Sequence, residues 1–100
     1  MKIIFRIFFF NFLFSFKEIK LSIEKKFETA MNFYKKKDYG SAIPLFLEVS
    51  KFKGKKESIE SKFYLGKSYF EKKNYKKALI YLSAFFDEFP ENEKSEDVLY

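Results

Sequence analysis

Two stretches decide how this chain folds: FYKKKDYGSAI, from Phe33 to Ile43, and YFEKKNYKKAL, from Tyr69 to Leu79. The second stands thirty-six positions after the first, an interval in the range that marks stacked helical repeats. The same step pairs Ala30 with Gly66, Tyr39 with Tyr75, Ala42 with Ala78, Phe46 with Leu82, Val49 with Phe85 and Gly54 with Pro90.

Each unit reads as two amphipathic helices joined by a tight polar turn. The spacing predicts a first helix over Ser58 to Lys72, with Phe63, Tyr64, Gly66, Tyr69 and Phe70 recurring at three and four residues. After a turn at Lys73-Asn74, a second helix runs from Tyr75 to Phe89 and stops at Pro90, because the residue before a proline is pushed out of helical dihedrals. In the first copy the second helix spans Tyr39 to Ser50 and contains Pro44, expected in or near the first turn, where backbone N–H groups lack intrahelical acceptors. Gly54 closes that unit where the second has proline.

These residues resemble the tetratricopeptide repeat, a helix-turn-helix unit whose pattern includes Leu-Gly, Tyr, Ala, a large apolar residue and Pro. Leu65-Gly66, Tyr69, Ala78, Leu82 and Pro90 supply it in order. The fold expected is an all-α solenoid of helical hairpins, with repeats at about 23–58 and 59–94 and a third beginning at 95. Lys62 departs from the pattern where the repeat often has Trp, Thr29 replaces the Leu before Ala30, and the period exceeds the common 34 residues by two. Leu99 and Tyr100 fall in the register of Phe63 and Tyr64, so the hundred residues are expected to be part of a longer array, which needs further units or a cap to cover its last apolar face.

Residues 1–20 read as a separate, signal-like or anchoring segment ahead of a repeat domain over 23–100. Lys2 and Arg6 precede or interrupt an apolar run broken only by Asn11 and Ser15, the outline of an export signal or its degenerate remnant. As a helix, Ile3 to Phe16 reaches ~21 Å, short of the ~30 Å hydrocarbon core. An uncleaved anchor and an apolar helix packed on the repeats are the other readings.

The net charge of +6 fits nucleic acid or an anionic surface on its face. The lysines, however, collect in the turns and between units, the exposed places of such a fold, and the aromatics follow the core stripe instead of interleaving with them, so no nucleic-acid partner is expected. With no Cys or His, and with acidic residues scattered along helix surfaces, the chain offers neither a nucleophile nor a metal site. An enzyme is not expected, nor is any cofactor.

Taken with the leader, the stretches KFETAMNFYKKKDYGSAIPLF from Lys26 and KFYLGKSYFEKKNYKKALIYLSAFFDEFPENEKSEDVLY from Lys62 resemble the BamD family, helical-repeat lipoproteins of the outer-membrane β-barrel assembly machinery. The resemblance implies a scaffold at the periplasmic face of the outer membrane, with barrel-assembly subunits and unfolded outer-membrane protein peptides as partners. Family members carry a lipobox cysteine; here Leu13-Phe14-Ser15-Phe16 has that outline with Phe16 in the cysteine position, so no lipidation is expected. A membrane-tethered or cytoplasmic tetratricopeptide adaptor is the alternative, with an inner-membrane or cytoplasmic location. In either case the peptide groove is expected along the first helix of each unit, at Glu24, Phe27, Met31 and Tyr34, then Glu60, Phe63, Lys67 and Phe70. Aromatics and Met beside Lys67 suit an extended peptide with an apolar side chain and a carboxylate end. Phe27, Phe63 and Phe70 equally fit a core role, since aromatic stripes at helical spacing are usually packing.

Overall fold

The internal repeat reappears in the backbone. In the computed structural model, which describes residues 2–95 and the side chains of residues 17–95 other than Ile19, four helices follow one another: α1 (Lys2–Lys35), α2 (Tyr39–Ser50), α3 (Lys56–Glu71) and α4 (Tyr75–Glu88). No strand occurs among the described residues.

The turns α1–α2 and α3–α4 are built alike. Lys37 and Lys73 lie in the left-handed region, with φ of 63° and 65°. Their N–H groups donate to the carbonyls of Tyr34 and Phe70 at 2.9 Å, and the next N–H groups, of Asp38 and Asn74, donate to Phe33 and Tyr69, also at 2.9 Å. This paired closure satisfies carbonyls that the ending helix leaves free. Asp38 and Asn74 then begin the next helix, their side-chain oxygens accepting from Ser41 N–H and Lys77 N–H at 3.3 Å. One short polar residue thus closes one helix and opens another, which makes the turn tight enough to hold the two helices side by side.

The other connection, Lys51 to Lys55, is looser and turns at Gly54, whose φ of 75° favours a residue without Cβ. Pro44 sits in the second turn of α2, further in than the sequence suggests, and removes one backbone bond to the Gly40 carbonyl. Both residues are exposed, so water can serve that carbonyl and the helix continues to Ser50. At the end of α4, Phe89 leaves the helical region (φ −130°, ψ 60°) ahead of Pro90. Residues beyond it fold back on α3: Lys94 Nζ lies 5.2 and 5.0 Å from the ring centres of Phe63 and Tyr64, and Ser95 Oγ donates to the Phe89 carbonyl.

Small residues set the helix spacing. Ala30, Ala42 and Ala78 are buried, and Gly66 is the closest approach: a Cβ there would come within 2.7 Å of Leu82 Cγ and Cδ2. Around them Phe46 and Leu65 complete a core against which Phe27, Met31, Phe33, Tyr34, Tyr64 and Tyr69 pack. Phe46, fully buried, contributes on the order of 1.5–3 kcal/mol by leaving water. Lys62, in the slot where the repeat family often has Trp, spans to the end of α4. Its Nζ pairs with Glu88 at 2.9 Å and lies 5.4 Å from the Phe89 ring centre, so a cation and its alkyl stem bridge the helices there.

Packing is sequential. Each helix lies against the next, and α1 also approaches α3, whereas no close backbone approach joins α2 and α4. The approach of α1 to α3 leaves α2 and α4 further apart.

Helix α1 runs without interruption from the apolar stretch into the first repeat, across 20–23 where the sequence suggests a division. No glycine or proline precedes Gly40, so nothing in the chain breaks it. Its 34 residues make the molecule long, 60 by 28 by 20 Å. The expected start of a third unit at Leu99 and Tyr100 lies outside the described residues, as does the side chain of Phe16.

Candidate functional site

The eight residues expected to line a groove do not share one environment. On α1, Glu24 is exposed, while Phe27, Met31 and Tyr34 are half-buried against the Ala30–Phe46 core. Phe27 meets Phe46 edge-on at 6.3 Å. Tyr34 is the junction of three helices: its ring packs edge-to-face on Tyr39 at 5.4 Å, Phe46 at 6.3 Å and Tyr64 at 5.0 Å. Burial pushes the Tyr34 phenol up to about 12, with Tyr39, Glu71 and Tyr64 adding repulsion to any phenolate.

On α3 the outcome differs. Phe63 is 4% exposed and packs on Tyr64 and Phe85, so it belongs to the core and lines no groove. Its burial comes from α4 and from Lys94, neither of which a periodic pattern on α3 alone could reveal. Glu60 is half-buried at the start of α3, with Lys56 Nζ 4.0 Å away, too long to hold it firmly. Phe70 is exposed, touching Tyr75 edge-on at 5.4 Å, and Lys67 Nζ lies 5.4 Å from the Phe70 ring centre.

Contacts among the eight are therefore few: Lys67 lies beside Phe70 on α3, and Met31 and Tyr34 pack on the same core on α1. The pair Phe70–Tyr75 reproduces Tyr34–Tyr39 thirty-six positions later at the same 5.4 Å separation. Tyr34 is covered from the next hairpin by Tyr64; Phe70 has no described counterpart. The exposed side of α4 continues the apolar surface through Tyr75, Leu79 (68% exposed) and Ile80, residues that the sequence reading did not place in a site. The thirty-six-residue register, which sets Leu79 against half-buried Ile43, is the signal that could have found them.

An open depression lies elsewhere, lined by Ser22, Lys25, Lys26, Thr29 and Leu45 between α1 and α2. It shares no residue with the expected groove, and Lys26 is held at its edge by Glu48 at 3.0 Å. Among the described residues no three potential metal ligands converge, and no helix is long and apolar enough to cross a membrane. Comparison with known protein families, with curated proteins and with solved structures found no match to this chain.

Proposed function

We propose that this chain is a non-enzymatic scaffold of the tetratricopeptide type, binding protein partners along the α1/α3 face. The observation that carries the reading is the approach of α1 to α3 with no close backbone approach between α2 and α4, the arrangement expected where the first helix of each hairpin lies on the inner side. That is the surface on which helical arrays hold extended peptides. The duplicated turns at Lys37 and Lys73 and the Gly66–Leu82 approach support the repeat assignment. Lys67 beside Phe70 offers a cation and an aromatic surface to a peptide that ends in an apolar side chain and a carboxylate.

The setting follows from the sequence resemblance: the outer-membrane β-barrel assembly machinery, with its subunits and unfolded outer-membrane protein segments as partners. A general tetratricopeptide adaptor is favoured by the lack of cysteine, which removes the lipid attachment that family members use.

Titration of a peptide with a carboxyl-terminal aromatic tests the groove. Lys67→Glu should weaken binding about tenfold while leaving the melting temperature nearly unchanged, because a partly exposed charge at the protein surface contributes ~1 kcal/mol or less to stability. A variant that melts early with unaltered affinity in its folded fraction overturns the assignment. Location separates the two settings: an epitope after Tyr100 that stays in the cytoplasm removes the envelope reading and leaves the adaptor.

A further inference from the structure

The connection between α2 and α3, with the first residue of α3, reads KFKGKK, Lys51 to Lys56, and carries a partly exposed aromatic. Phe52 is 42% exposed, Lys51, Lys53 and Lys56 are exposed, and Gly54 meets nothing that a Cβ would touch. The fold assigns the loop a particular neighbour. Helix α2 returns antiparallel to α1, as the Lys26–Glu48 pair at 3.0 Å and the joint lining of a depression by Ser22, Lys25 and Leu45 require. The loop after Ser50 therefore stands level with residues near 20 of α1, where exposed Lys17 and Lys20 lie.

Beyond that level α1 continues through the part whose sequence, Ile3 to Phe16, is apolar except for Arg6, Asn11 and Ser15. The tight turns at Lys36-Lys37 and Lys72-Lys73 occupy the opposite end of the hairpins. One end of the molecule thus combines an apolar helical extension with a lysine collar and an exposed aromatic. Glu18 and Glu57 lie within that collar, and α4, returning antiparallel to α3 as the Lys62–Glu88 pair at 2.9 Å requires, brings Asp87, Glu88, Glu91 and Glu93 to the same end on the side away from α1, so the collar is the α1 side of that end.

We propose that this end docks on an anionic lipid bilayer, with the Lys51–Lys56 loop lying on the headgroups and Phe52 entering the interface beside the apolar extension of α1. The chemistry selects lipid over the other polyanions. An acidic headgroup layer attracts clustered lysines, and the acyl region beneath accepts aromatic and aliphatic groups. A nucleic acid would neutralise the lysines and leave the Ile3–Phe16 stretch in water. The inference stands apart from the groove on α1/α3 and fails or holds independently of it.

The test uses the full chain and vesicles of phosphatidylcholine with or without phosphatidylglycerol, in a flotation assay. Binding is expected to the anionic vesicles, to fall with added salt, and to drop roughly fivefold for each lysine removed in Lys51→Gln, Lys53→Gln and Lys56→Gln, since each contributes about 1 kcal/mol near such a surface. Lys36→Gln and Lys73→Gln, at the far end, should leave it unchanged. Equal losses from both ends, or equal binding to neutral vesicles, would overturn the proposal. Because the chain has no Trp, Phe52→Trp supplies a single reporter. Its emission should shift to the blue on anionic vesicles and stay unshifted with a double-stranded oligonucleotide. Bound protein with unshifted emission removes the loop from the interface, and a shift with the oligonucleotide instead assigns the end to nucleic acid.

Discussion

Gly66 and Leu82 lie so close that a Cβ on the glycine would stand 2.7 Å from both Cγ and Cδ2 of the leucine and 3.3 Å from its backbone nitrogen. Ala30 fills the matching slot in the first hairpin and is fully buried opposite the helix of Phe46. The spacing of α3 and α4 is set by the glycine, because Cγ is not the free end of the side chain and cannot swing aside cheaply. Gly66→Leu should lose on the order of 1–3 kcal/mol by overpacking. Gly66→Ala should lose less, since the better helix propensity of alanine returns up to ~1 kcal/mol. Combining Gly66→Ala with Leu82→Ala should cost less than the two changes summed. Denaturant melts of the four proteins in that cycle check it; strict additivity would mean that the two residues do not limit the approach.

Lys37 and Lys73 hold left-handed backbone that glycine adopts without strain. Each should be replaceable by glycine with a gain of about 0.5–1 kcal/mol, the relief of strain exceeding the entropy that glycine adds to the unfolded chain. Thermal melts of Lys37→Gly and Lys73→Gly read this directly. A loss at both positions would show that the lysine stems contribute packing that outweighs the backbone strain; Lys67, which sits in regular helix, should lose stability on the same change.

Ser61 is fully buried on α3 and its hydroxyl finds no partner among the described residues; Ser58 Oγ, one turn earlier, is in the same position. An unpaired buried hydroxyl is costly, and alanine fills nearly the same volume with better helix propensity. Ser61→Ala should stabilise by ~1 kcal/mol. Ser68, whose Oγ donates to the Tyr64 carbonyl at 2.7 Å, should show a smaller gain or a loss when changed to alanine. Equal responses at the two sites would contradict the distinction.

Tyr34 carries a phenol raised to about 12 from the ordinary 10.0. Below pH 10 the phenol is protonated in both states and its contribution is intact. Between pH 10 and about 12 the unfolded chain loses that proton while the native state keeps it, so stability falls as pH rises through this window. Tyr34→Phe removes that dependence. Its stability relative to the unchanged protein should therefore climb from pH 9 to pH 11.5, as measured by urea unfolding at each pH. Parallel curves would mean that the ring is solvated in the folded state.

The expected groove illustrates where periodicity stops being informative. Phe27, Phe63 and Phe70 all fall on the stripe that a helical period assigns to one face, yet one is half-buried, one enclosed and one open. Phe63 is closed off by Phe85 and Lys94, which arrive from elsewhere in the chain. Phe70 sits at the exposed edge of the last described hairpin, with Tyr75 beside it edge-on. A pattern along α3 reports direction; what covers that direction depends on other helices.

Local sequence was sufficient for the helices and their turns. The polar turns at Lys37-Asp38 and Lys73-Asn74 and the stop at Pro90 operate within a few residues of backbone, so α2 runs over the predicted Tyr39–Ser50 and the ends of α3 and α4 fall within two residues of expectation. Tertiary structure decided what depends on distant partners. It placed Lys62 against Glu88 and Phe89 in a slot where the repeat family often has an aromatic, enclosed Phe63 and left Leu79 in water. It also set the Lys51–Lys56 segment level with the base of the apolar extension. Helix geometry follows from dihedral preference and capping, which are written in neighbouring residues, whereas burial and proximity arise only when separate helices meet.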